Sequence, residues 1–343
     1  MKYSTIINII FINLKIFFLK VFNSKRVIPY KILINLTDLC NSRCNFCDIW
    51  KIKPQNEINY KDITKTLKNY EQNLIWLSLS GGEVTLVNYF YELIDHLKTN
   101  FPKLKIIAFT TNALAPNKTI KYAEYIKTSG FDPLITISLD GDEKTHDKIR
   151  GVKGNYKKCM HVFEELKKKN IMCHFGITVS DQNYSFIKNK FKYFSDKIKA
   201  ITFVHSDGIY NKTNDVENSL MLDGLKIIYK NFKVKKFYEI IEMIHIKISI
   251  LFLKKFKKKN IIPCDVLNTS IHIMANGDVK PCMFMNKVGN IKESNLKEIL
   301  ANDKVKISKD LIKNNDCPKC WMNCYSPHSI MQHPFKSIMK LLS

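Results

Sequence analysis

Six short β-rich runs, each followed by a helical, lysine-studded segment, set the architecture this chain can adopt. The runs are YKILINLT (30–37), LIWLSLS (74–80), LKIIAFTT (104–111), PLITISLD (133–140), IMCHFGITV (171–179) and AITFVH (200–205). Patterns such as VNYFYELIDHLKTN and KKCMHVFEELKKKN lie between them. Strands alternating with helices imply βα units on a parallel sheet. The runs are mostly apolar with little alternation, so cover on both faces is expected. Six units make a partial or full barrel, with chemistry at the C-terminal ends of its strands. After about residue 230 the rhythm stops. A long apolar and basic helix leads to Cys264, SIHIMANGDVKPC reads as a β-hairpin around an Asn-Gly turn, and a cysteine-rich tail follows. The expected fold is α/β: a partial (β/α)6 TIM-like barrel with a small C-terminal cysteine-rich β-hairpin plus helix domain. The expected division is an amphipathic segment over 1–28, a core barrel over 29–235, and a connecting basic helix with a cysteine-rich domain over 236–343.

The ten cysteines are unevenly placed. Cys159 and Cys173 fall in a helical and a strand pattern and read as small buried hydrophobes. Three more crowd into CNSRCNFC (40–47), directly after the first strand, and five lie in the last quarter. No cleavable signal peptide is evident, so a reducing, cytoplasmic setting is expected, in which clustered cysteines read as metal ligands before disulfides. A disulfide uses two thiols and a structural zinc usually four ligands. Three thiolates on one loop can hold three corners of a cubane iron–sulfur cluster and leave its fourth iron open. A zinc site completed by Asp48 or a distant His is the alternative.

C-x3-C-x2-C after the first strand, with an aromatic before the last Cys, resembles the signature of the radical S-adenosylmethionine (radical SAM) superfamily. Cys40, Cys44, Cys47 and Phe46 match it as they stand. The resemblance implies a [4Fe-4S] cluster whose open iron chelates S-adenosylmethionine. Reductive cleavage of that cofactor yields a 5′-deoxyadenosyl radical that abstracts a hydrogen atom from substrate, so an electron donor such as flavodoxin or ferredoxin is implied. SLSGGEVTL is similar to the family's GGE motif: Gly81 and Gly82 admit close backbone approach, and Glu83 meets the methionyl amino group. FTTNA is similar to the family's TNG, with Asn112 toward the cofactor and Ala113 in place of Gly. Ser138 and Asp140, in ISLDG, resemble the polar residues at the ribose or methionyl carboxylate. HDKIRG matches an HD-x-x-RG stretch, in which Arg150 pairs with the cofactor carboxylate; for Asp147 and Arg150 an ordinary surface ion pair is the alternative. Ile177, Thr178 and Asn183 are expected near the adenine.

The C-terminal cysteines resemble the family's auxiliary-cluster modules, SPASM and its shortened form, twitch. Cys264, then Gly277 five residues before Cys282, then CPKCWMNC supply Cys264, Cys282, Cys317, Cys320 and Cys324. The full SPASM pattern has seven cysteines, so one second, auxiliary [4Fe-4S] cluster is the natural count. Cys264, Cys282, Cys317 and Cys320 are its first four ligands, with Cys324 as substitute or spare, and zinc is the alternative. Sulfatase-activating relatives carry an Asp after the hairpin Cys; Met283 stands there, which weakens a transfer of that chemistry. Trp321 and Tyr325 are expected around this cluster, and His174, His205 and His272 as satisfied near-core histidines.

Substrate and partner readings rest on softer signals. The net charge of +24, from 55 Lys+Arg against 31 Asp+Glu, favours anionic partners, although a general Lys-rich composition produces the same excess. In TIINIIFINLKIFFLKVFN the residues Ile7, Ile10, Phe11, Leu14, Phe18, Val21 and Phe22 share one helical side, away from Asn8, Asn13, Lys15 and Lys20. That suits a helix lying on a membrane surface, or one packed on its own domain. MIHIKISILFLKKFKKKN (243–260) and PFKSIMKLLS repeat the theme. These features favour an unknown small-molecule, lipid or lipid-linked sugar substrate with peripheral contact on the inner membrane face. A peptide- or protein-modifying maturase is the alternative, made less expected because only 39 residues precede Cys40. A non-enzymatic iron–sulfur or zinc protein remains as a third class. No run interleaves aromatic and basic residues as a nucleic-acid platform, so no nucleic acid is expected.

Overall fold

The structure is a computed structural model that describes residues 3–21, 27–68, 70–205, 218–254 and 261–342. Six parallel strands form its frame: β1 (Lys31–Asn35), β2 (Trp76–Ser80), β3 (Ile106–Thr111), β4 (Asp132–Ser138), β5 (Met172–Val179) and β6 (Ile198–Phe203). They stand side by side in chain order, each paired to the next, and do not close on themselves. At the β1 edge the sheet continues with β7 (Ser270–Ile273), parallel to β1, and then the antiparallel β8 (Asp278–Lys280) and β9 (Gly289–Asn290). The Asn-Gly hairpin thus extends the barrel sheet.

The helices are α1 (Tyr3–Val21), ahead of the barrel; α2 (Tyr60–Leu67), α3 (Phe90–Asn100) and α4 (Pro116–Thr128), after β1, β2 and β3; α5 (Glu143–Arg150) and α6 (Asn155–Lys168), after β4; α7 (Tyr184–Phe194), after β5; and α8 (Asn218–Asn231) and α9 (Glu239–Lys254), after β6. Beyond the hairpin come α10 (Leu296–Ala301), α11 (Asp303–Asn314), α12 (Ser326–Gln332) and α13 (Pro334–Leu342). Local chemistry marks the starts. Asn59 accepts from Lys61 N and Asp62 N while Asp62 reaches back to Asn59 N, a capping box for α2. Asp142 caps α5 by accepting from Thr145 N.

Each barrel strand has two unlike faces. One carries Leu77, Ile107, Ile135, Ile137 and Phe175, buried under the helices. Truncating one of these, as in Leu77→Ala, is expected to cost about 2–5 kcal/mol. The other face carries Trp76, Ser78, Ser80, Ala108, Thr110, Thr136, Ser138, His174, Gly176, Thr178 and Thr202, which line a central cavity of about 430 Å³. The expectation that both faces are packed is corrected here. Small and polar residues on every second position keep the interior open, where an ordinary barrel fills it with branched side chains.

Helix α9 corrects a second expectation. Ile244, Ile246, Ile248, Ile250, Phe252 and Leu253 are all buried, so the apolar part of the 243–260 segment is core. Residues 255–260 lie outside the described residues. Among the described residues no helix is long and apolar enough to cross a membrane.

Candidate functional site

The cysteine loop leaves β1 at the C-terminal mouth of the sheet, and Cys40, Cys44 and Cys47 all line the central cavity. Hydrogen bonds from two directions hold it. Gly82 N donates to Thr37 O at 2.7 Å and Glu83 N to Leu39 O at 2.8 Å. The glycines make this approach possible: a Cβ on Gly81, whose φ is +129°, would lie 2.2 Å from Thr37 O, and one on Gly82 1.9 Å from Leu39 O. The tight approach is therefore to the cysteine loop itself. On the other side the end of α5 acts as a cradle. Arg43 N and Ser42 Oγ both donate to Arg150 O at 3.0 Å, and Asn45 N donates to Ile149 O at 3.0 Å.

The polar residues of the later strand ends divide into those that face the cavity and those that hold the former in place. Glu83 is fully engaged: Oε1 accepts from Thr85 Oγ1 at 2.9 Å and Thr111 Oγ1 at 2.8 Å, and Oε2 from Asn112 N at 2.8 Å. Asn112 Nδ2 then donates to Asn41 Oδ1 at 2.8 Å, next to Cys40. Ala113 sits at φ +58°, a conformation glycine adopts freely and alanine does not, at the position where TNG has Gly. Asp140 lies behind the wall. Its Oδ1 accepts from Thr178 N at 2.9 Å, and its Oδ2 from Arg150 Nε and Nη2, each at 2.6 Å. Arg150 thereby aims Nη1 at Cys44 Sγ, 3.6 Å away, with its guanidinium over the Phe46 ring. The surface ion pair weighed for Asp147 and Arg150 is absent. Asp147 instead accepts from Gly154 N at 2.5 Å and Tyr156 N at 2.8 Å, heading α6. His146, pushed down to about 4 by burial, accepts the Asp140 N–H on Nδ1, so its Nε2 carries the proton offered to Asn155 Oδ1. Ser138, Ile177 and Thr178 line the cavity, whereas Asn183 is a buried brace whose Nδ2 donates to Thr178 O.

Burial pushes the Cys47 thiol up to about 12 and raises Cys40, with neighbouring sulfurs adding to both and backbone N–H groups opposing. These sulfurs hold protons at neutral pH until a metal displaces them.

A second thiol group is gathered by the hairpin and the tail. Cys282 packs with Leu33, Val266, Met285, Met322 and Tyr325, with Cys264, Cys317 and Cys320 against them. Cys282 and Cys320 are hydrogen-bond partners, and both Cys264 and Cys320 feel Cys317. Burial pushes Cys264 up to about 12. Cys324 stands apart and opens onto the cavity. Met283, Met322 and Tyr325 belong both to this apolar cluster and to the cavity lining, so they form the partition between the second thiol group and the cavity. Trp321 instead joins the main core, stacked on His245.

Residues 34–194 match the Radical SAM superfamily, and residues 264–325 match the SPASM iron–sulfur cluster-binding domain. This chain belongs to the radical SAM superfamily. Among curated relatives, the radical SAM chain is 25% identical to the sporulation killing factor maturation protein SkfB of Bacillus subtilis (strain 168), over 84% of this chain and 69% of that one. It is likewise 25% identical to a cysteine-type anaerobic sulfatase-maturating enzyme of Clostridium novyi (strain NT), over 82% of each. Of solved structures, native anSMEcpe with bound AdoMet superposes with a TM-score of 0.63 at 18% identity, covering 92% of this chain and all of the other, a likeness of fold.

A radical SAM enzyme with a SPASM domain uses a [4Fe-4S] cluster with S-adenosylmethionine, and auxiliary iron–sulfur chemistry. The residues present fit these groups. Three unpaired thiols face one cavity with a guanidinium in reach of a sulfur, and four more converge in an apolar shell. Among the described residues no three His, Cys, Asp or Glu side chains converge as ligands of a single ion. A cubane spreads its thiolates over separate iron corners, so its ligands have no need to meet at one point.

Sequence reasoning passed over several cavity residues. Lys31 is buried beneath Trp76, its Nζ 3.0 Å from His328 Nε2 and donating to Cys324 O at 3.2 Å. Glu242 accepts from Ile201 N at 2.8 Å and from Asn323 Nδ2, and burial pushes its carboxyl up to about 8. A lysine inside an apolar strand run was the available signal for the first; none marked the second.

Proposed function

We propose that this radical SAM enzyme is a maturase that oxidatively modifies a peptide or protein held between its two cysteine sites. The observation that carries the reading is the cavity itself, walled by the Cys40–Cys47 loop on one side and by the Met283–Met322–Tyr325 partition of the second thiol group on another. The peptide class is supported by SkfB and the sulfatase-maturating enzyme, each aligned over most of both chains. Neither name points to a lipid-linked substrate.

In this reading Cys40, Cys44 and Cys47 hold the catalytic cluster, and Cys264, Cys282, Cys317 and Cys320 the auxiliary one. When bound, the first cluster and S-adenosylmethionine supply the one-electron chemistry that removes a hydrogen atom from substrate. The chain's own residues prepare the site. Gly81, Gly82, Asn112 and Ser138 line the cofactor end of the cavity. Glu83 and Asp140 act through others, fixing Asn112 and Arg150. Arg150 steadies the Cys44 thiolate by a charge-assisted hydrogen bond. Lys31, with no carboxylate partner among the described residues, is an anchor for a substrate carboxylate at the opposite end of β1. Glu242, braced by Ile201 N and Asn323, presents a carboxyl that burial keeps protonated at neutral pH.

The test is anaerobic. The reconstituted enzyme is given S-adenosylmethionine and dithionite with either the peptide fraction or the lipid fraction of a cell extract from its own source. The reading expects 5′-deoxyadenosine release to rise with the peptide fraction and a peptide in it to lose hydrogen mass. A rise confined to the lipid fraction overturns it.

A further inference from the structure

Helix α1 docks through a narrow mixed face and leaves its largest apolar side chains outside. Thr5, at 3% exposure, and Asn13, at 5%, face the protein beside Ile9 and Ile16, while Asn8 and Lys15 are exposed. Thr5 Oγ1 donates to Asp132 Oδ2 at 2.6 Å, Asn13 Nδ2 to Tyr30 OH at 3.0 Å, and Gln332 Nε2 to Asn13 Oδ1 at 2.8 Å, while Lys20 pairs with Asp265. Ile7, Ile10, Phe11, Leu14 and Phe18 point outward, with Phe11 67% exposed and Phe18 55%. This is the apolar side that the helical pattern marks in the sequence. The roll of the helix is not free, because turning the phenylalanines inward would break all four polar contacts.

Helix α13 shows the same face. Phe335, at 77%, Ile338, Met339 and Leu342, at 82%, are exposed. Asp265 ties the two helices together, since one carboxylate takes Lys20 at the end of α1 and His333 at the head of α13. Charge says what covers these faces. No Asp or Glu occurs before Asp38 or after Asp316, whereas lysines recur in both stretches, including Lys15 and Lys336 on the exposed surfaces. An apolar face flanked by cations and free of carboxylates is complementary to an anionic lipid surface. Neither helix is long and apolar enough to cross a bilayer.

We propose that α1 and α13 form a docking surface that lays this enzyme on an anionic bilayer, with their outward phenylalanines in the interface. The test is co-sedimentation of the full-length, cluster-loaded protein with vesicles of phosphatidylcholine alone or mixed equally with phosphatidylglycerol. Binding is expected to the mixed vesicles and to weaken with salt. Phe11→Glu with Phe18→Glu is expected to lower partitioning about a hundredfold, from the loss of two inserted aromatic rings. Phe335→Glu with Leu342→Glu provides an independent second variant. Because all four side chains are exposed, Tm and iron content are expected to stay at the parent's values. Three results overturn the proposal: no binding to the mixed vesicles, binding that both variants leave intact, or a solution dimer that the same variants dissolve, which would make a second copy the occupant.

Discussion

Cys40, Cys44 and Cys47 come from one short loop, held in place by hydrogen bonds from the Gly81–Glu83 turn and the end of α5. Cys264, Cys282, Cys317 and Cys320 are gathered from a hairpin and a distant tail, and meet in an apolar shell of Leu33, Val266, Met285 and Met322. The first site is therefore organised by the protein before any metal arrives. The second brings remote segments together, so a group bound by its thiols is expected to add to its order. A structural metal site of that kind returns its binding free energy as folding free energy.

The largest expected effect follows from this contrast. Cys282→Ala should strip the auxiliary iron and lower stability by several kcal/mol, measured by iron analysis with anaerobic denaturant melts. A melt equal to the parent's would show that the apolar shell holds the tail without metal. Next is Arg150→Met. It leaves Asp140 buried with only the Thr178 N–H, so a loss of about 3–5 kcal/mol is expected, together with poorer loading of the first cluster. Unchanged stability would mean that Asp140 is satisfied without its guanidinium.

Lys31 sharpens the comparison from the opposite direction. Burial pulls its amine from 10.5 down to about 8. Between those values the unfolded chain binds more protons than the folded one, so stability rises with pH across that window and is lost below about 8. Lys31→Met should therefore stabilise the protein near neutral pH by up to about 3 kcal/mol, and the gain should vanish toward pH 10.5. Substrate-stimulated turnover should fall in the same variant. A gain independent of pH would remove the buried charge from the account. The smallest expected effect is that of Cys324→Ala. This thiol lies outside the apolar shell, so the iron content should not change. A loss of about four iron would make Cys324 a ligand.

Much of this was legible in the sequence, for physical reasons. The six strand runs and the position of Cys40, Cys44 and Cys47 after the first depend on local pattern and chain order, which a sequence displays directly. The open barrel interior was also on display, as the alternation of small and polar residues in WLSLS and LITIS, but the apolar residues between them masked it. The function of Asp140 was not accessible. Only the fold reveals that both of its oxygens are taken by Arg150 and Thr178, so that a residue expected at the cofactor is committed to its neighbours. For α1 the sequence identified the apolar side but not its direction, which depends on partners as distant as Asp265 and Gln332.

The central claim is that two iron–sulfur sites flank one cavity. It is tested most directly by iron and sulfide per chain after anaerobic reconstitution, beside a variant with Cys40, Cys44 and Cys47 all changed to Ala. The account predicts ~8 iron in the parent and ~4 in the variant, since each cubane carries about four, with 5′-deoxyadenosine formation lost and the fold retained. A parent that holds only ~4 iron together with zinc would contradict the second site, and a variant that still cleaves S-adenosylmethionine would contradict the first.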